Sequence, residues 1–192
     1  DENLTGEVTD IPPEGSLLPD TYRFSRGMAR SDILERMQSD QRRFIAAIWD
    51  KRQPDLPFQT MEQALILASI VEKETGRADE RERVAGVFVN RLRRKMRLQS
   101  DPTIVYGIAG GQGTLGRPIT RADIDTRTPY NTYQIDGLPP TPIASAPPAP
   151  MRVFPHNFDL THPDFGHTVP RPESRHGAGT APSRSQSTAQ VA

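Results

Sequence analysis

The stretch Ala64-Leu-Ile-Leu-Ala-Ser-Ile-Val71 constrains this chain more than any other. It puts apolar side chains on nearly every side of a helix, and a helix that is apolar on most sides is buried on most sides. It falls well short of the ~18 apolar residues of a membrane-spanning helix, so the burial has to be inside the protein. Its start is marked by Thr60-Met-Glu-Gln63, which has the spacing of a capping box. Its end is predicted at Gly76, a natural residue for the position just past a helix. The expectation is a helical body with this segment near its centre.

Two further helices have weaker signatures. Leu34, Met37, Phe44, Ile45 and Ile48 recur at helical intervals up to Trp49, behind Asp32-Ile-Leu-Glu35, whose spacing places the first helix start near Ser31 or Asp32. Another helix is predicted to open at Asp79-Glu-Arg-Glu82, with Val84, Val87, Phe88 and Leu92 on one face. Residues 1–22, broken by Pro12, Pro13, Gly15 and Pro19, read as an extended leading segment. Residues 96–119 lack helical period, and Ile104-Val-Tyr106 predicts a short strand there. Thr120-Arg-Ala-Asp123 predicts a short helix, and Tyr130-Asn-Thr-Tyr-Gln-Ile135 alternates like a brief strand before the Gly137-Leu-Pro-Pro140 turn.

Composition divides the chain. Of 19 prolines in 192 residues, more than half lie at or beyond Pro139. Residues 144–192 hold Leu160 as their sole leucine and no isoleucine, tryptophan or tyrosine. Such a stretch cannot bury enough apolar surface to offset its ordering entropy, so disorder is expected from about Met151. The 24 basic and 24 acidic residues balance, which excludes a whole-protein basic field for nucleic acid. With no cysteine there is no disulfide framework, thiolate site or cysteine nucleophile. All four histidines (His156, His162, His167 and His176) lie in the tail, so the body has no histidine base or ligand.

The chemistry is expected where the central helix ends, at Glu72-Lys73-Glu74. On a helical wheel Glu74 falls inside the apolar arc of Leu67, Val71, Ala64 and Ala68, Glu72 on its margin, and Lys73 away from it. Desolvation and the negative end of the helix dipole would both raise the pKa of Glu74. A carboxylic acid kept protonated near neutral pH is what general acid catalysis on a glycosidic oxygen requires. From pattern alone the commoner alternative is a salt-bridged glutamate at a helix end, paired with Lys73, Arg77 or Arg81.

Polar and aromatic side chains gather downstream: Asn90, Gln99, Ser100, Asp101, Thr103, Tyr106, then Tyr130, Asn131, Thr132 and Tyr133. Rings beside amides and hydroxyls suit sugar faces and N-acetyl groups, although Gln99-Ser-Asp-Pro102 and Thr128-Pro-Tyr-Asn131 are also ordinary turn formers. The basic run Arg91-Leu-Arg-Arg-Lys-Met-Arg97 reads as a solvated helix end, with phosphate contact as the minor alternative. Gly107, Gly110, Gly111, Gly113 and Gly116 lack the Gly-Lys-Ser/Thr of a phosphate loop and read as a flexible loop.

Several segments in order carry a resemblance. They are Glu14-Gly-Ser-Leu-Leu-Pro-Asp-Thr-Tyr-Arg-Phe24, Leu67-Ala-Ser-Ile-Val-Glu-Lys-Glu-Thr75, Val87-Phe-Val-Asn-Arg-Leu92, Met96-Arg-Leu-Gln-Ser-Asp-Pro-Thr103, and Tyr130-Asn-Thr-Tyr133 with Gly137-Leu-Pro-Pro140. Together they resemble the catalytic domain of the endolytic murein transglycosylase family (MltG/YceG-like). The resemblance implies an α+β, mainly helical, lysozyme-like domain over 14–144 with a few short strands. It implies a lytic transglycosylase that cleaves the β-1,4 bond between N-acetylmuramic acid and N-acetylglucosamine in peptidoglycan, leaving a 1,6-anhydromuramyl end. Because the muramyl C6 hydroxyl attacks its own C1, one glutamate suffices as acid and then base, unlike the usual carboxylate pair. Glu74 is that residue, with Glu72 as fallback. Asn90, Gln99, Asp101, Thr103, Tyr130, Asn131 and Thr132 are implied substrate-binding residues: the amides for N-acetyl groups, Tyr130 for stacking, Thr103 or Asn131 to orient Glu74. No metal and no cofactor is implied.

The resemblance also implies a periplasmic location at the bacterial inner membrane, reached through an N-terminal anchor and a LysM-like subdomain that this sequence lacks. Residues 1–13 read as the linker left from that part. Glycan strands are the implied partner, with peptidoglycan synthases of elongation or division beside them, and nucleic acid is not. After Ile143 the sequence leaves the family pattern at Ala144-Ser-Ala-Pro-Pro-Ala-Pro150. The switch to Pro/Arg/His/Ser composition over 145–192 is what a frameshifted GC-rich reading frame produces. The competing readings are a peptidoglycan-binding or divisome-interaction module that lost turnover with its C-terminal segment, and a small helical nucleic-acid binder using 91–97.

Overall fold

The computed structural model describes residues 3–146. Five helices follow one another: α1 (Arg30–Trp49), α2 (Met61–Glu74), α3 (Arg81–Arg93), α4 (Asp101–Ala109) and α5 (Arg121–Asp125). Among the described residues there is no strand, and extended pairing is limited to one parallel bridge between Thr5 and Ala29. The expected α+β body is therefore mainly helical with almost no β-structure. The tail predicted to be disordered from about Met151 lies outside the described residues.

α2 is the central element. Its capping box forms as the sequence predicts: Gln63 N–H donates to the Thr60 hydroxyl, and the Gln63 side chain accepts from the Thr60 N–H. Leu67, Ala68, Ile70 and Val71 are fully buried, with Leu67, Ile70 and Val71 each contributing about 1.5–3 kcal/mol relative to exposure. α2 touches α1, α3 and α4, while α5 packs on α4. Ile48 from α1 joins this core with Val84, Ala85, Phe88 and Val89 from α3.

The remaining segments are tied down by named bonds. The Ser69 hydroxyl donates to Ile66 O at 2.7 Å and accepts from Ile143 N–H at 3.0 Å, fixing the last described segment on α2. Ile143 and Ala146 complete the core. The leading segment is extended, as expected, and docks on α1 through Gln41 Nε2, which donates to Gly15 O at 2.9 Å.

Several boundaries differ from expectation for physical reasons. α1 begins at Arg30 with Ala29 at its N-cap, and no side chain caps it. Its first turn is held instead by the Thr5 bridge, where Arg30 N–H donates to Thr5 O at 2.9 Å. α2 ends at Glu74 because Thr75 turns to an extended conformation, φ −141° and ψ 131°. Gly76 therefore lies just past the helix cap, as expected, although it takes that place without a positive φ. α3 starts at Arg81 rather than at Asp79, whose carboxylate pairs with Arg77 at 2.7 Å.

The largest departure is α4, a helix where a short strand at Ile104-Val-Tyr106 was expected. β-Favouring side chains are overridden by packing: Ile104 is fully buried and α4 lies against α2. Gly107 permits close approach of α4 to Thr128, since a Cβ there would collide with the Thr128 hydroxyl. Gly110 closes the helix at φ 60°. The expected strand over 130–135 is a set of turns, in which Gln134 and Ile135 N–H groups donate to Asn131 O. α5 forms where predicted, with the Thr120/Asp123 capping box intact.

Candidate active site

Glu74 is the last residue of α2 and is partly buried there. Its Oε2 accepts from the Ser100 hydroxyl at 2.8 Å. Burial pushes its carboxyl pKa above the ordinary value, and the charge of Asp101 adds to the rise. The Ser100 hydrogen bond and the positive charge of Arg91 oppose it without cancelling it. The salt-bridge alternative is not the arrangement found. Arg81 pairs with Glu72 at 3.1 Å, Arg77 pairs with Asp79 and Glu80, and Lys73 is exposed. Among the described residues no cation sits within ion-pair distance of Glu74. Glu72, bound to α3 through Arg81, is the less available of the two carboxylates.

A buried hydroxyl cluster stands behind Ser100. Thr132 Oγ1 accepts from Ser100 N–H at 2.9 Å, and Thr103 Oγ1 donates to Ser100 O at 2.6 Å. Thr103 Oγ1 and Thr132 Oγ1 lie 2.9 Å apart, and both residues are fully buried. They support the site from behind rather than facing a ligand. Asp101 opens α4, and its Oδ1 accepts from the Tyr133 hydroxyl at 2.7 Å. Gln99 is exposed with φ 53°, and its N–H donates to Thr132 O at 3.1 Å.

Other expected residues are engaged elsewhere. Asn131 is 1% exposed, and its Nδ2 donates to the carbonyls of Asp123, Ile124 and Thr126. Its Oδ1 accepts from Tyr133 N–H at 3.0 Å, so the whole amide holds the turn to α5 and does not orient Glu74. The Tyr130 ring lies 4.7 Å from that of Tyr106, tilted by 59°, and its hydroxyl meets Thr141 Oγ1 at 2.8 Å. Asn90 on α3 is buried, and its Nδ2 has no hydrogen-bond partner among the described residues. The structure thus groups Glu74, Ser100, Asp101, Thr103, Thr132 and Tyr133, and turns Asn131 away.

Two members of this neighbourhood, Ser100 and Arg91, stand in the sequence only as part of the polar cluster and of the basic run, with no role attached to either. Ser100 precedes Asp101-Pro102, and a proline in the first turn is a helix-start signal that marks Ser100 as an N-cap. Arg91 is 8% exposed and donates to Leu98 O. Desolvation lowers its pKa, opposed by its interactions with Tyr133 and Glu74. The rest of the basic run is partly neutralised: Arg93 pairs with Asp55 and Arg97 with Asp136. A shallow groove of about 420 Å³ between Pro57, Glu62, Ile66, Leu92 and Leu138 lies toward the other end of α2 and does not include Glu74.

The profile of the YceG-like family matches residues 2–152. The chain is 33% identical over 136 residues to an endolytic murein transglycosylase of Bacillus subtilis, aligning 70% of this chain with 36% of that protein. It is 36% identical over 138 residues to one from Streptococcus pneumoniae serotype 2, aligning 69% of this chain with 24% of the relative. It thus spans about a quarter to a third of the curated relatives it matches. The crystal structure of a yceG-like protein from Listeria monocytogenes superimposes with a TM-score of 0.62 at 33% identity, covering 76% of this chain and 47% of that one.

Proposed function

As the chain belongs to the YceG-like family, we propose that its folded body is the catalytic part of a lytic transglycosylase acting on peptidoglycan glycan strands. The observation that carries this reading is the state of Glu74: partly buried at the end of the central helix, hydrogen-bonded by Ser100, and paired with no cation among the described residues. A buried carboxyl of raised pKa remains a proton donor nearer neutrality than an exposed glutamate does. The names of the relatives from Bacillus and Streptococcus supply the substrate class.

In this reading Glu74 donates its proton to the glycosidic oxygen between N-acetylmuramic acid and N-acetylglucosamine. The bond from muramyl C1 to that oxygen breaks, and its electron pair leaves with the N-acetylglucosamine hydroxyl. The resulting Glu74 carboxylate takes the proton of the muramyl C6 hydroxyl, whose oxygen bonds to C1. One bond forms and one breaks, the proton returns to Glu74, and no water is consumed. A second carboxylate acting as nucleophile or water activator is not needed.

The same reading extends to the domain, its location and what leads into it. The body over 14–144 is a lysozyme-like catalytic domain, with its packing continuing to Ala146. The full-length protein works at the periplasmic face of the inner membrane, among the synthases that make its substrate. Residues 1–13 lead in from a preceding LysM-like subdomain. Among the described residues no helix is long and apolar enough to cross a membrane.

The test is to incubate the protein and its Glu74→Gln variant with uncrosslinked glycan strands and weigh the products by mass spectrometry. Fragments one water lighter than hydrolysis products, absent with the variant, are expected. Hydrated reducing ends would overturn the reaction type. Saturable strand binding by a folded protein with no products would favour the binding module.

A further inference from the structure

Resting on the reading of Glu74 as acid and base, we propose that Ser100 is its positioning residue: the Ser100 hydroxyl pins Glu74 Oε2 and leaves Oε1 to hand over and retake the proton. The contact joins the turn before α4 to the end of α2, 26 residues away, at 2.8 Å.

Three features show that the local chain is arranged for this contact rather than for helix formation. Ser100 occupies the N-cap of α4, where a serine oxygen ordinarily accepts an N–H from the first turn. Here no side-chain cap forms, and the hydroxyl turns to Glu74 instead. The preceding residue, Gln99, holds φ 53°, a left-handed conformation that non-glycine residues rarely adopt. Finally, the backbone of Ser100 is clamped on both sides, its N–H by Thr132 Oγ1 and its carbonyl by Thr103 Oγ1.

Counting protons fixes the direction of the cluster. The Thr103 hydroxyl proton goes to Ser100 O, so Thr103 Oγ1 can only accept from Thr132 Oγ1–H and from Thr132 N–H. Thr132 Oγ1 in turn accepts from Ser100 N–H. None of these bonds uses the Ser100 hydroxyl proton, which is left for Glu74. Ser100 therefore stabilises the carboxylate formed after proton donation and keeps Oε1 as the reacting oxygen. The other charges that reach Glu74 are Asp101 from α4, which disfavours the carboxylate, and Arg91 from α3, which favours it. On α2 itself Glu72 is taken by Arg81, and Lys73 is exposed.

The experiment follows the Glu74 carboxyl by carbon-13 NMR through a pH titration of the 192-residue chain, assigned with Glu74→Gln, in wild type, Ser100→Ala and Ser100→Thr. Ser100→Ala is expected to move the Glu74 pKa upward, with turnover falling roughly tenfold at unchanged KM, and the alkaline limb of the pH profile moving up with it. Ser100→Thr, which keeps the hydroxyl, is expected to restore both. Ser100→Cys, near in size but a poor donor, carries the same test if the alanine variant does not fold. An identical Glu74 titration in wild type and Ser100→Ala would overturn the proposal. The titration needs no turnover, so it separates this proposal from the catalytic reading, which fails independently if Glu74→Gln still makes anhydro ends.

Discussion

Glu74 and Ser100 meet at 2.8 Å although each belongs to a different helix end, one closing α2 and the other preceding α4. α2 supplies a desolvated carboxyl, and the turn at Gln99 supplies one oriented donor. The site is therefore assembled by the packing of α4 on α2 rather than by any contiguous motif.

Glu74→Gln should change stability in a pH-dependent way. The folded pKa of Glu74 is raised from 4.5 by burial, so its contribution is fully present below that value. It is lost as pH rises through the folded pKa, where a charge must be held in a desolvated place. Glutamine avoids that penalty and still accepts from Ser100. Thermal melts should therefore show a variant advantage that grows from pH 4 toward pH 8. An advantage that is constant across this range would contradict the buried-carboxyl account.

Asp101→Asn should lower the Glu74 pKa, because the charge of Asp101 is one of the groups raising it. Asparagine retains an oxygen to accept from the Tyr133 hydroxyl, so the fold should persist. The alkaline limb of the kcat/KM profile should move to lower pH, the opposite direction from Ser100→Ala. Rate measurements across the pH range, using soluble glycan strands, check the sign.

Gln99→Gly tests backbone against side chain. A non-glycine residue in the left-handed region costs about 1–2 kcal/mol, and glycine returns about 0.5–1 kcal/mol of that as unfolded-state freedom. With φ at 53° the variant should gain up to about 1 kcal/mol in urea unfolding. A rise in KM alongside this gain would assign the Gln99 amide to the glycan, and an unchanged KM would reduce its role to the turn.

Asn131→Ala should act on stability first. It leaves Thr126 O without its donor and Tyr133 N–H without its acceptor, while Asp123 O keeps Thr126 N–H and Ile124 O keeps the Gln134 amide. Losing such buried partners costs about 1–3 kcal/mol. Urea unfolding should show that loss, with KM unchanged wherever the protein remains folded. A variant of full stability and weakened glycan binding would return Asn131 to the substrate.

The parts legible in the sequence were those decided within one or two turns. The Thr60/Gln63 and Thr120/Asp123 capping boxes, the all-round burial of α2 and the inward face of α3 are local patterns, and each appears as read. Glu74 stands out by its place on the wheel, and the structure partly buries it there. α4 is hard to read from sequence because Ile104, Val105 and Tyr106 favour strands, although Pro102 in its first turn is a helix-start signal. The turns at 130–135 mimic a strand in sequence, because alternation carries no record of the buried Asn131 amide that gathers them. Ser100 is legible as a polar residue but its pairing with Glu74 is not, since only the docking of α4 brings them together.

The central claim is that Glu74 serves an intramolecular displacement in which water takes no part. Cleavage of uncrosslinked glycan strands in oxygen-18 water measures this directly. Muramyl ends free of the label and one water short are the predicted result. Muramyl ends carrying one oxygen-18 would mean that water attacks C1, and the single-glutamate account would be wrong.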